Sequence, residues 1–205
     1  TINTNSGSCD ATATWIAPTA TDNCSVQSFT STHNSGATFN VGTTTVTYTA
    51  TDANGNTATC SFDVTVVDNV NPVITGCPTD ITIDATSGSC DATATWIAPT
   101  ATDNCSLQSF TSTHNSGATF GIGTTTVTYT ATDVDGNTTT CSFDVTVVDN
   151  VNPVIAGCPT DITIDATGSC DATATWIAPT ATDNCSLQSL TSTHTSGATF
   201  NVGTT

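Results

Sequence analysis

Ten cysteines and seventeen aspartates are the residues of this chain that could do chemistry, and their spacing says which. The cysteines stand at Cys9, Cys24, Cys60, Cys77, Cys90, Cys105, Cys141, Cys158, Cys170 and Cys185, at offsets that recur along the chain. Cysteines repeated in this way, in a chain whose domains are small, read as a disulfide framework. Zinc is the poorer account. There is no Cys-x-x-Cys, and His33, His114 and His194 are not at ligand spacing from any cysteine. A disulfide framework in turn implies an oxidising, extracytoplasmic compartment.

The acids carry a different message. Every one is Asp, Lys+Arg is 0 and the formal net charge is −17. Salt bridges to Lys or Arg are therefore excluded. So are phosphate neutralisation of a nucleic acid and a basic membrane-surface patch, which both need Lys or Arg. Isopeptide staples are excluded as well, for want of Lys. Uncompensated carboxylates either stay solvated or collect a metal, and Ca²⁺ is their natural hard-cation partner. The segment Val67-Asp68-Asn69-Val70-Asn71-Pro72 recurs as Val148-Asp149-Asn150-Val151-Asn152-Pro153. Together with the loops holding Asp103-Asn104 and Asp133/Asp135, it supplies a candidate calcium set. That set is Asp68, Asn69, Asn71, Asp103, Asn104, Asp133, Asp135, Asp149, Asn150 and Asn152. The competing reading is that Asp-Asn and Asp-Gly are ordinary turn formers. No catalytic constellation stands beside these groups. The three histidines recur in polar Ser-Thr-His stretches without a Gly-x-Ser-x-Gly, and no Gly-rich phosphate loop exists. The histidines read as solvent-facing strand residues.

The elements that must position these residues repeat. Residues 8–86 recur almost unchanged at 89–167, and a third copy begins near Pro153. A tandem array of this period means one small fold repeated. Three repeats are expected, over 1–71, 72–152 and 153–205. Helix is disfavoured by the wealth of Thr, Val, Ile, Ser and Gly and by strict alternation in several stretches. Strands are expected at Ile81–Ile83, Ala92–Ile97, Leu107–Thr111, Thr125–Ala131 and Cys141–Val147. Asp135-Gly136, and Asn54-Gly55 in the first copy, mark a hairpin between the last two. Short strands with regular turn signals indicate an antiparallel β-sandwich, with Trp15, Trp96 and Trp176 on the second strand as its central core residues. No apolar run approaches the ~20 residues needed to span a bilayer. With no visible signal peptide and no Met, the sequence reads as a mature fragment or a window of a longer array.

Several ordered motifs carry a family resemblance. They are Cys77-Pro78-Thr79-Asp80-Ile81, Trp96-Ile97-Ala98-Pro99-Thr100-Ala101-Thr102-Asp103-Asn104 and Ser116-Gly117-Ala118-Thr119-Phe120. Gly123-Thr124-Thr125-Thr126-Val127-Thr128-Tyr129-Thr130-Ala131-Thr132-Asp133 and Gly136-Asn137-Thr138-Thr139-Thr140-Cys141-Ser142-Phe143 complete the series. The series resembles the hyalin repeat, or HYR module, across the whole chain. The resemblance implies all-β, immunoglobulin- or fibronectin-III-like sandwich repeats in extracellular, often adhesive proteins, with no catalytic activity. It implies a Cys77–Cys141 bridge. Cys90 and Cys105 are additional, as in some bacterial versions, and are expected to pair with each other, although the strand between them could hold them over 20 Å apart unless residues 99–104 fold back. Repeat equivalence then gives Cys9–Cys24 and Cys170–Cys185, with the partners of Cys60 and Cys158 outside this sequence. The junction also resembles the Asp/Asn-rich linkers where cadherin-type domains share Ca²⁺, without the Glu ligands.

Two functions compete. In the first, the repeats form an extracellular filament or surface stalk whose contacts are with other copies of itself. In the second, the chain is a cell-surface adhesin gripping a glycan or protein partner. Near-identity of the copies favours the first, because a recognition array is free to diversify its loops.

Overall fold

The computed structural model describes residues 1–166 and 168–203. Positions 167, 204 and 205, which fall in the third expected repeat, lie outside the described residues. The chain divides into two compact units. The first comprises Thr1–Thr79, Trp96–Asn115 and Val127–Phe143; the second comprises Asp80–Thr95, Ser116–Thr126 and Asp144–Thr205. Unit boundaries and sequence-repeat boundaries are therefore different divisions of the chain, since residues 72–79 and 96–115 of the second repeat belong to the first unit. No helix occurs among the described residues.

Alternation dictates the local structure. In the strand Gly42–Asp52, Val46 and Tyr48 are buried while the threonines beside them face outward or stand half-covered. This is the period-two pattern of a sheet with one face on a core. The strand pairs antiparallel with Thr57–Val67 in register from Gly42↔Val66 to Thr51↔Thr57. Val26–Ser31 flanks it on the other side, with a register shift between Val26 and Ser28. Ile2–Asn3 adds a parallel edge beside Val66–Val67, closing the order Ile2–Asn3, Thr57–Val67, Gly42–Asp52, Val26–Ser31. Against this sheet lies a two-stranded one, Asp10–Thr12 with Thr38–Asn40. Ala11, Ala13, Phe39, Val46, Tyr48, Val64 and Val66 form the core between them, with Ile2, Trp15, Ala37 and Val41 packed at its margin.

The second repeat has the same strand order: Leu107–Ser112, Gly123–Asp133, Thr138–Val148, Ile81–Asp84. The all-β tandem sandwich expected from the sequence is the fold observed. Both hairpin turns use the glycine their sequences supply. Gly55 (φ 87°) and Gly136 (φ 94°) take left-handed backbone that an L side chain rarely adopts.

Two details differ from the sequence reading. The expected strand Ala92–Ile97 is short, Asp91–Thr93, and the tryptophans lie beyond it on irregular backbone. They are half-buried rather than central, held by side-chain contacts instead of a ladder. Trp15 Nε1 donates to the Tyr48 hydroxyl at 2.7 Å, and its ring meets Phe62 edge-on at 5.2 Å. Trp96 repeats this with Tyr129 at 2.8 Å and Phe143 at 5.1 Å. The histidines sit in bends rather than on strands, His33 and His114 just after one, and His33 lies against Phe39 with centroids 5.1 Å apart.

Candidate junction site

The chemistry concentrates where successive repeats meet, and short strands bring it there. Val73–Thr75 pairs antiparallel with Thr100–Thr102, from Val73↔Thr102 to Thr75↔Thr100, all inside the first unit. The segment after Trp96 is thereby tied to the start of its own repeat and delivers Asp103-Asn104-Cys105 to the turn that holds Cys9. Cys105 is bonded to Cys9, with Cα atoms 4.6 Å apart. In the second unit, Thr180–Thr182 pairs with Val154–Ala156 and Cys185 is bonded to Cys90, with Cα atoms 4.7 Å apart.

This corrects three expected pairings. Cys90–Cys105, Cys9–Cys24 and Cys170–Cys185 do not form. The 99–104 segment folds back onto Val73–Thr75 and not toward Cys90, so Cys105 reaches the cysteine of the preceding repeat instead of its own. Cys77 is bonded to Cys141, with Cα atoms 6.1 Å apart. The parallel pairing of Ile81–Asp84 with Val145–Val148 carries the two segments alongside each other in one direction. Cys24, Cys60, Cys158 and Cys170 are exposed and free.

Beside the Cys9–Cys105 bridge the structure gathers part of the candidate calcium set. Asp68 is buried, with 3% of its surface exposed. Its Oδ1 accepts from Thr4 Oγ1 at 3.0 Å, from the Val70 amide at 3.0 Å and from Asn104 Nδ2 at 3.3 Å. Asn104 Nδ2 also donates to the Ser8 carbonyl at 3.1 Å. Asp103 Oδ2 accepts the Cys105 amide at 2.8 Å. Potential ligand atoms of Asp68, Asp103 and Cys105 all lie within 4.8 Å of one another. Asp149, Asp183 and Cys185 form a matching group in the second unit, also within 4.8 Å.

The remaining candidates are elsewhere. Asp133 is fully buried, but its own hairpin uses both its oxygens. Oδ1 accepts the Asp135 and Asn137 amides at 3.0 and 2.8 Å, and Oδ2 accepts Asn137 Nδ2 at 2.7 Å. Burial alone raises its pKa; the Asn137, Gly136 and Asp135 hydrogen bonds outweigh that and hold it below 3.8. Asp133 is a turn former here, as Asp52 is in the first repeat. Asn69, Asn71, Asp135, Asn150 and Asn152 are exposed.

The sequence reading missed three contributors. Asp183 and Asn184 are the third-repeat counterparts of Asp103 and Asn104, and the repeat offset alone identifies them. Asn137, whose Nδ2 also donates to the Asp68 carbonyl at 3.1 Å, gives no such signal. It looks like any residue after an Asp-Gly turn.

Comparison with known proteins agrees with the motifs. The model of the HYR domain matches residues 2–66 and again 67–147. The chain is 38% identical over 207 residues to hyalin of Lytechinus variegatus, spanning 97% of this chain and 39% of that protein. It is 38% identical over 208 residues to hyalin of Strongylocentrotus purpuratus, 97% of this chain and 17% of that one. It is 35% identical over 156 residues to the sushi, von Willebrand factor type A, EGF and pentraxin domain-containing protein 1 of Rattus norvegicus, covering 74% of this chain and 4% of that protein. The chain thus spans well under half the length of each.

Proposed function

The chain belongs to the HYR domain family, and from that premise we propose that its repeats build an extracellular filament or surface stalk. The segment is an extracellular or cell-surface module of adhesion type and not an enzyme; the proposal concerns what the modules are for. The observation that carries it is covalent. Cys9–Cys105 ties the first repeat to the second, and Cys90–Cys185 ties the second to the third. Each junction thus has a second covalent connection besides the backbone, which is what a load-bearing array needs and a loop-displaying one does not. Expected domain limits remain 1–71, 72–152 and 153–205, with the bridges crossing each limit.

Self-association is the partner this reading favours. Ile16, Ile97 and Ile177 occupy equivalent positions and are 98%, 90% and 88% exposed. A bare isoleucine repeated at the same place offers one lateral contact per repeat. The glycan-binding rival has less support. A sugar platform needs an open aromatic face, whereas Trp15 and Trp96 are engaged by a tyrosine hydroxyl and a phenylalanine edge. Calcium belongs to the same proposal, as the junction's cofactor. Electron microscopy and sedimentation of the oxidised chain, run beside a glycan array, decide between the two. Ordered polymers without glycan retention support the filament; a monomer that binds a defined glycan overturns it.

A further inference from the structure

We propose that Asp68, Asp103 and Asn104 form a seat for one hard divalent cation of the Ca²⁺ class, and that Asp149, Asp183 and Asn184 form a second. The proposal rests on reading the junction as a structural joint and specifies its ligands. The first observation is the meeting of carboxylates within 4.8 Å in a chain with Lys+Arg 0. No side-chain ammonium or guanidinium can neutralise them, and like charges at that distance repel. The second is independent of charge. Asp68 Oδ2, Asp103 Oδ1 and Asn104 Oδ1 are buried without a hydrogen-bond partner, and so is Asn184 Oδ1 in the second group. Buried polar atoms are almost always satisfied, so three unsatisfied oxygens on adjoining residues, one from a carboxylate 97% withdrawn from solvent, point to a ligand.

The rest of the geometry aims those oxygens. Asp68 Oδ1 is fixed by Thr4, Val70 and Asn104, and Asp103 Oδ2 by the Cys105 amide. Asn104 Nδ2 is fixed by the Ser8 carbonyl, which leaves its Oδ1 free to coordinate. The second seat repeats these supports. Val151 N donates to Asp149 Oδ1 at 3.1 Å, Cys185 N to Asp183 Oδ1 at 3.0 Å and Asn184 Nδ2 to the Ser89 carbonyl at 3.2 Å. Outer hydrogen bonds of this kind orient metal ligands.

The donor chemistry selects the ion. Cys105 and Cys185 lie in the groups, but their sulfurs are bonded to Cys9 and Cys90, so neither offers a thiolate. What remains is two carboxylates and an amide carbonyl, an all-oxygen set that disfavours zinc. Waters would complete the 6–8 oxygens that Ca²⁺ takes, and extracellular modules of this ligand charge bind it with a Kd of roughly 10⁻⁴–10⁻³ M. Asp68 lies at the end of the first repeat and Asp103 in the second, so one ion would engage both.

The test is calorimetric titration of the oxidised, chelator-stripped chain with CaCl₂ alone. Two ions per chain are expected. Asp103→Asn should remove one or weaken it at least tenfold, and Asp183→Asn the other. Asp135→Asn, at an exposed turn, should leave both. Asp68→Asn serves as a second probe of the first seat, with its disulfides checked by peptide mapping. Absence of saturable binding at millimolar Ca²⁺, or binding that all three seat variants leave unchanged, overturns the proposal. Failure to polymerise would not, because the titration reads the ion and not the filament.

Discussion

Replacing both Cys9 and Cys105 with serine tests the phase of the disulfide network. The bridge closes a sequence separation of 96 residues. Chain-entropy arithmetic for a loop of that size gives about 4.7 kcal/mol, and loss of native bridges from small secreted domains typically costs ~2–5 kcal/mol. At roughly 4 °C per kcal/mol for a domain of this order, the unfolding temperature should fall by about 8–19 °C. Calorimetry of the oxidised protein measures the drop, and hydrogen exchange locates it. The Val73–Thr75 and Thr100–Thr102 pairing beside the bridge should lose protection first. Cys24→Ser is the internal control: Cys24 is exposed and unpaired, so it should shift nothing measurable. Alkylation without reductant gives a second readout, labelling Cys24, Cys60, Cys158 and Cys170. Bridges closed within each repeat would leave only Cys60 and Cys158 to label. If Cys24→Ser destabilises as much as the Cys9/Cys105 double replacement, and only two thiols of the unsubstituted protein are labelled, the bridges do not run between repeats.

Three further outcomes follow from individual contacts. Asp133 is held below its ordinary pKa of 3.8, so its stabilising contribution is complete above about pH 4 and is lost as pH falls through the lower folded value. Thermal scans should be flat from pH 7 to 5 and decline below pH 4, with a shallower acid limb in Asp133→Asn. Trp96→Phe removes the 2.8 Å bond to the Tyr129 hydroxyl and should cost about 1 kcal/mol in a denaturant midpoint. Ile97→Asp, at a residue 90% exposed, should leave that midpoint within ~0.5 kcal/mol while lowering any self-association seen in sedimentation.

Much of the fold was legible because it is local. Alternation of Thr with Val or Tyr located both long strands, and Asn-Gly and Asp-Gly located the hairpins between them. The strands Val73–Thr75 and Thr100–Thr102 were not legible. Each has only three residues, too few for a period to register, and each exists because the other is within reach. The short Asp91–Thr93 strand failed for the opposite reason. Ala-Thr-Ala-Thr-Trp alternates well, but past Thr93 the backbone turns to place the indole against Tyr129 and Phe143. In the third repeat, residues 162–165 and 187–192 match strands of the second yet are not strands. Their counterparts pair with the Thr138–Val148 and Gly123–Asp133 strands, which this sequence does not carry a third time.

The candidate site shows where repetition itself conceals information. In a tandem array, a bond from the Cys9 position to the Cys24 position of the same repeat involves the same residue types as a bond to that position one repeat later. Every repeat has the same inventory in both cases, so composition and offsets cannot set the phase. What sets it is the direction taken after Trp96. The Thr100–Thr102 strand runs back along Val73–Thr75, and with that step Asp103, Asn104 and Cys105 pass to the preceding repeat together. One three-residue pairing therefore decides three properties at once: which cysteines bond, which carboxylates meet, and whether the array is covalently linked across its joints. The same logic explains why Asp133 was misplaced while Asp68 and Asp103 were not. Asp133 carries the turn sequence that satisfies it, whereas Asp68 and Asp103 keep an oxygen that no nearby residue fills. An aspartate that its own turn satisfies holds a hairpin; one left unsatisfied in a buried joint is the observation on which the proposed cation seat rests.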